Sequence, residues 1–124
     1  MSLCEKAAHR IADALLEAWN NRDLNLFSEL LAEDVVLQNP LIVQMFGIDD
    51  GCLRGRERVV RYVQSMLSEL PHTKIKLTTQ YYGVRSFALI GQGIFEKATV
   101  IIIDLDDADR IRGITSYFDS LALP

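Results

Sequence analysis

The amino-acid sequence predicts an α+β domain, with helices in its first half and a run of long antiparallel strands in its second. Two observations carry that prediction. Up to Leu70 the apolar residues recur at helical spacing in separate stretches, and after Pro71 their period drops to two. Helices and sheet are therefore segregated along the chain, as in the α+β architecture.

The first helix spans Leu3 to Asn20, where Ala8, Ile11, Leu15 and Trp19 recur on one side while Glu5, Lys6, Arg10, Asp13 and Glu17 fall elsewhere. Asn20-Asn21-Arg22 breaks it, and Asp23 is placed to cap a short second helix from Leu24 to Leu31. Asp34 to Asn39 predicts a strand stopped by Pro40, because proline has no N–H to donate to a continuing ladder. Leu41 to Leu53 is an irregular apolar stretch turning at Asp49-Asp50-Gly51, expected to pack as core or to close over something apolar. Gly55 opens a third helix to Leu70, with Val59, Val60, Val63, Met66, Leu67 and Leu70 inward, and Pro71 stops it.

In the second half, Ile75, Leu77, Thr79 and Tyr81 alternate with Lys74, Lys76, Thr78 and Gln80, which predicts a strand with one wet face. The strands expected over Arg85 to Phe95 and Ala98 to Leu105 are apolar on both faces, at Phe87-Ala88-Leu89-Ile90 and Val100-Ile101-Ile102-Ile103. One face can meet the helices. The other needs a cover, and a second copy of the chain is the economical one, so a homodimer through the outer face of the sheet is expected. Asp106-Asp107-Ala108-Asp109 is a solvated hairpin turn into a last strand, Arg110 to Ser120; it lacks the glycine and distal glutamate of a calcium loop.

A chain of 124 residues has the length of one domain, here 1–124, and 49% hydrophobic with 24% charged residues is a globular balance. No stretch approaches the roughly 18 apolar residues of a membrane span. A net charge of -4, with both signs interspersed, offers no basic face to a nucleic-acid backbone, so neither membrane nor nucleic acid is an expected partner. Cys4 and Cys52 are too few for a disulfide framework and have no ligand-spaced histidine or cysteine, so free thiols and no metal or other cofactor are expected. Met1 to Lys6 carries no apolar leader, and the expected location is cytoplasmic.

Ala14-Leu15-Leu16-Glu17-Ala18-Trp19-Asn20-Asn21-Arg22-Asp23-Leu24-Asn25-Leu26-Phe27, followed by Ala32-Glu33-Asp34-Val35-Val36-Leu37, resembles the opening of the nuclear transport factor 2-like superfamily, in its SnoaL-like and ketosteroid-isomerase-like branch. Gly55-Arg56-Glu57-Arg58-Val59-Val60 and Asp109-Arg110-Ile111-Arg112 are similar to its later landmarks. The resemblance implies a cystatin-like roll: a cone-shaped, curved antiparallel sheet wrapped around three N-terminal helices, with a pocket at its open end. The superfamily includes isomerases, dehydratases, epoxide hydrolases, polyketide cyclases and non-catalytic binding or assembly domains, so the fold alone does not assign an activity.

Ketosteroid isomerase chemistry needs a carboxylate to move a proton and two acidic donors to hold the enolate oxygen. Carried onto this chain, the base falls at Asn39, whose amide accepts no proton at neutral pH, and the two donors at Leu15 and near Ile101. Ser116-Tyr117-Phe118-Asp119 is similar to the closing motif of limonene-epoxide-hydrolase-like proteins, yet the positions of that branch's acids hold Ser116 and residues near Gln92 and Ile94. Asp119 is out of phase with the pocket-facing Ile114, Ser116 and Phe118.

The expected function is accordingly binding of a small, largely apolar molecule in a pocket lined by Leu15, Trp19, Phe46, Ile101, Ile114 and Phe118, with Asn39, Gln92 or Ser116 orienting it. Gln38-Asn39 before the apolar stretch is equally a strand-terminating turn. The alternatives are an isomerase, cyclase or dehydratase drawing a non-standard acid or base, such as Asp49, Asp50 or His72, from the 41–53 loop and its surroundings, and a non-catalytic dimerisation or assembly domain with a filled cone. His9 is expected on the solvated side of the first helix, and Tyr81, Tyr82 and Tyr117 as sheet residues.

Overall fold

The apolar stripe of the first helical stretch finds its partner in the sheet. In the computed structural model, which describes residues 5–122, α1 (Glu5–Asn20) buries Ala8, Ile11, Ala12, Leu15 and Ala18, spaced three and four apart on one face. The predicted start at Leu3 and the thiol of Cys4 lie outside the described residues; Cys52 is a free thiol. Asp23 caps α2 (Leu24–Leu30) as expected, its Oδ1 accepting from the Leu26 N–H at 3.0 Å.

The chain enters β1 (Leu31–Gln38) directly from α2, three residues before the expected strand start. The apolar stretch that follows is not a loop throughout. It forms α3 (Pro40–Phe46), so the described residues contain four helices where three were expected. The reason is local: Asn39 Oδ1 accepts from the Leu41 N–H at 2.9 Å, Pro40 occupies the first turn, and Gly47 closes the helix at φ 67°. A short β2 (Cys52–Arg54) pairs back on β1, and α4 (Arg56–Glu69) buries Val59, Tyr62, Val63, Met66 and Leu67.

The remaining strands are β3 (Lys76–Tyr82), β4 (Ser86–Gln92), β5 (Ala98–Leu105) and β6 (Ile111–Phe118). They join one six-stranded sheet in the order β2-β1-β6-β5-β4-β3. The sheet is mixed rather than wholly antiparallel, because β1 pairs with β6 in parallel, Leu37 opposite Ile114 and Gln38 opposite Thr115. Tight hairpins force antiparallel pairing only on strands that follow each other in sequence, and β1 and β6 do not. β4 ends at Gln92, short of the expected Phe95, and Ile94–Glu96 makes a 3-10 turn in which both Phe95 (φ 59°) and Glu96 (φ 58°) adopt left-handed backbone that non-glycine residues seldom take.

β3 departs from its simple alternation. Its register with β4 slips at Thr78, between the pairs Leu77–Gly91 and Thr79–Ile90. Ile75 and Leu77 are partly covered as expected, but beyond the bulge the inward side passes to Gln80 and Tyr82, which pair with Leu89 and Phe87, while Thr79 and Tyr81 face out. Tyr82 then reaches α1, its hydroxyl 2.6 Å from His9 Nε2.

The helices cover the inner face of the sheet, where Phe87, Ile103, Leu105 and Ile111 are fully buried with Leu31, Val35 and Met66. The Asp106–Asp109 segment forms the expected turn. Asp106 Oδ1 accepts from the N–H groups of Ala108 and Arg110, and Asp109 pairs with Arg85 at 2.7 Å. No helix among the described residues is long and apolar enough to cross a membrane.

Candidate functional site

Toward one end of the sheet the inner face runs out of large side chains. Ile101 lies opposite Ser116 and Thr99 opposite Phe118 on β5 and β6, so two small hydroxyl residues stand in the row that Phe87, Ile103 and Leu105 fill further along. Gly93, beyond β4, is equally small. A cavity of about 80 Å³, partly open to solvent, results.

Each helix but the short α3 contributes to its wall. α1 supplies Leu15 and Trp19, α2 supplies Phe27, and α4 supplies Tyr62 and Val63. Ile75 is held against the same wall by Asn20, whose side-chain oxygen accepts from the Ile75 N–H at 2.8 Å while its Nδ2 donates to the Ile75 carbonyl at 3.2 Å. Leu37 and Asn39 close the β1 side, and Gly93 and Ile94, next to the left-handed Phe95–Glu96 pair, close the other.

The wall is almost wholly apolar, yet it collects the buried polar residues. Asn39, Thr99 and Ser116 are the buried polar residues among those described, and all three line the cavity. Asn39 Oδ1 is committed to the α3 cap and Thr99 Oγ1 donates to the Lys97 carbonyl at 2.8 Å, so what Asn39 can offer the cavity is its Nδ2–H₂. Two further donors belong to cavity residues: Trp19 Nε1 and the Tyr62 hydroxyl are buried and have no hydrogen-bond partner among the described residues. Burial pushes the Tyr62 phenol up to about 12, so it keeps its proton at any physiological pH.

No Asp, Glu, His, Lys or Arg lines this cavity among the described residues. Asp49 and Asp50 are exposed, and Asp50 accepts from the Cys52 N–H and is paired with Arg54, both at 3.0 Å, which holds its carboxyl below the usual range. His72 is exposed on a neighbouring groove of mixed lining, with Lys74, Lys76 and Glu96 beside Leu70, Pro71 and Phe95. Among the described residues no His, Cys, Asp and Glu side chains cluster in a way that holds a metal ion.

A model of the SnoaL-like domain matches residues 12–91, well over half of the chain. The chain belongs to the SnoaL-like family. No curated protein matches it. Among solved structures it is similar to a SnoaL-like protein of unknown function from Burkholderia thailandensis, at 22% identity and TM-score 0.92, over 97% of this chain and 100% of that one. It is also similar to a protein of unknown function with a cystatin-like fold from Methylobium petroleophilum, at 15% identity and TM-score 0.80, covering 99% and 82%. A proposed ketosteroid isomerase from Kribbella flavida follows at 20% identity and TM-score 0.74, covering 96% and 82%. At these identities the likeness shows the nuclear transport factor 2-like fold.

In this SnoaL-like chain Leu15, Asn39 and Ile101, the positions carried over from ketosteroid isomerase, meet on one cavity, as do Ser116 and Ile94 from the epoxide-hydrolase comparison. Trp19, Ile114 and Phe118 join them. Two expected site residues, Phe46 of the wall and Gln92 as an orienting group, are elsewhere. Phe46 is 52% exposed on the outer side of α3, edge-on to Tyr62 with ring centroids 5.8 Å apart, because folding the stretch as a helix turns Leu41 and Ile42 inward and Phe46 away. Gln92 is exposed on the outer sheet face, since Gly91 and Leu89 hold the inward positions of β4. Tyr62 and Thr99 were not singled out from the sequence. Tyr62 sits within the apolar spacing of α4, and the alternation Thr99, Ile101, Ile103 on β5 was a signal available for Thr99.

Proposed function

We propose that this SnoaL-like protein binds a small, largely apolar molecule in the cone cavity, oriented by Asn39, Ser116 and the other polar groups on its wall. The observation that carries this reading is the coincidence of the buried polar residues with an otherwise apolar, partly open cavity. Asn39 and Thr99 are each engaged within the fold at one atom, so the Asn39 N–H₂ and the Ser116 hydroxyl are the groups a ligand would meet. The cavity, at about 80 Å³, is well below the roughly 300–1,000 Å³ of drug-sized ligand sites, so compact ring compounds suit it better than tetracyclic ones.

A thermal-shift screen of apolar compounds of increasing size, with native mass spectrometry of the complexes, tests this. At ten times its Kd a ligand stabilises by about 1.4 kcal/mol, which for a domain of this length raises Tm by about 5 °C. Single-ring terpenoid and aromatic compounds are expected to do so, and fused tetracyclic steroids are not. Failure of every apolar compound at millimolar concentration overturns the binding reading.

The proposal includes a homodimer built on the outer face of the sheet. Register places Ala88 beside Ile102 and Ile90 beside Val100 on that face, flanked by Tyr81 and Tyr117, which are 62% and 56% exposed. Its centre is apolar and its rim aromatic, a composition suited to a self-complementary interface. Light scattering is expected to give twice the mass of 14.0 kDa, and Ile102→Lys to return it to a monomer. A wild-type monomer at micromolar concentration rules the dimer out.

A further inference from the structure

We propose that the groove between α4 and the segment linking α3 to β2 is a second ligand site, taking a small aromatic carboxylate whose ring lies on an apolar floor and whose charge meets Arg58 and Arg61. The site is separate from the cone cavity and does not rest on the binding reading above.

One wall is built by helical spacing. Arg61, Tyr62 and Ser65 follow Arg58 on α4 by three, four and seven residues, so the four share a face of the helix. Opposite them stand Phe46 at the end of α3, Ile48 just beyond it and Leu53 of β2. The open groove between has a volume of about 310 Å³, at the lower end of the roughly 300–1,000 Å³ of small-molecule sites. It shares only Tyr62 with the lining of the cone cavity. Phe46, turned away from the cone by the folding of α3, belongs here: its ring is 52% exposed and edge-on to Tyr62, which leaves an aromatic face open for stacking.

Charge decides the class of ligand. In a chain of net charge -4, the segment from Arg54 to Arg61 holds four arginines against Glu57 alone. Arg54 is paired with Asp50 at 3.0 Å and Arg61 with Glu57 at a looser 3.8 Å, while Arg58 has no ion pair among the described residues. No acidic side chain lines the groove among the described residues. A cation is therefore repelled, and a neutral hydrocarbon leaves both guanidinium groups unused. A carboxylate matches their planar fork of donors, and an aromatic ring attached to it covers the floor of Phe46, Ile48, Leu53 and Tyr62. Inorganic phosphate would satisfy the arginines and leave that floor in water.

The test is calorimetric titration with 2-naphthoate and its neutral counterpart 2-naphthamide, with inorganic phosphate as competitor. The carboxylate is expected to bind about fivefold tighter than the amide, the effect of one exposed ion pair. Arg58→Gln is expected to bring the two affinities toward equality by weakening the carboxylate alone, Arg61→Gln to do so in part, and Phe46→Ala to weaken both compounds alike. Ser116→Leu, which fills the cone, is expected to leave naphthoate binding unchanged, and millimolar phosphate is expected not to displace it. Absence of naphthoate binding at millimolar concentration, equal affinities in the unmodified protein, indifference to both arginine substitutions, or displacement by phosphate overturns the proposal. Loss of naphthoate binding in Ser116→Leu also overturns it, by placing the compound in the cone and so favouring the binding reading. Retained binding with the arginine response supports the groove site even if nothing enters the cone. Both arginines are exposed, so a variant of one that does not fold leaves the other to decide.

Discussion

Gly91→Ala is expected to destabilise the protein by about 3 kcal/mol and to lower Tm by about 10 °C, the largest loss from adding a single methyl group to this chain. Gly91 faces inward on β4, opposite Leu77 and next to the bulge at Thr78. There the β3 backbone closes on it: a Cβ would overlap the Lys76 carbonyl oxygen and lie 2.9 Å from the Lys76 carbonyl carbon and 3.0 Å from Leu77 Cα. All three obstacles are backbone, so no rotamer change relieves them. Gly47→Ala is the control, since Gly47 has φ +67° but open space around its would-be Cβ. Its cost is expected to be about 1 kcal/mol, the conformational penalty alone. Thermal melts of the two variants decide the matter, and equal losses would show that contact with β3 is not what matters at Gly91. The same variant should weaken ligand binding, because the β3–β4 pairing holds Ile75 and Gly93 in the cavity wall.

Ser116→Leu is expected to act in the opposite sense on stability and to abolish ligand binding. Ser116 is 9% exposed, on the inner face of β6 opposite Ile101, and a leucine there projects into the space that makes the cavity. At about 24 cal/mol per Å³, an unfilled volume of about 80 Å³ corresponds to about 2 kcal/mol of forgone packing. The variant should recover part of that, about 1 kcal/mol, with a rise of a few degrees in Tm. Any compound bound in the cone of the unmodified protein should lose at least tenfold in affinity. A Ser116→Leu protein that is folded and still binds would place the ligand outside this cavity. Gain of stability with loss of binding is the pattern of a space kept open for use.

Much of this was legible along the chain because its causes are local. Helical spacing locates α1 and α4, Asp23 caps α2, and β5 falls on Ala98 to Leu105 as the apolar run required. The resemblance to the nuclear transport factor 2-like superfamily correctly pointed to a SnoaL-like chain with a cystatin-like fold. α3 was also written locally, in Asn39, Pro40 and Gly47, but the proline that starts a helix is the same residue that ends a strand, and the strand-ending reading hid it.

By itself, then, the sequence determined the α+β class, the positions of the main helices and strands, and the absence of an acidic side chain at Asn39, Leu15 and Ile101, the positions to which the resemblance would carry the catalytic roles, since each depends on residue identity or on spacing within one segment. Tertiary structure decided the rest. The parallel pairing of β1 with β6, the slip at Thr78 that turns Gln80 and Tyr82 inward, and the outward placement of Phe46 and Gln92 all depend on which segments meet. So does the site: Trp19 and Tyr62, each with a buried polar atom that finds no partner among the described residues, lie far apart in sequence and line one cavity because α1 and α4 close over the same end of the sheet. A hydrogen bond that goes unmade is a property of the surroundings, and only the folded chain supplies them.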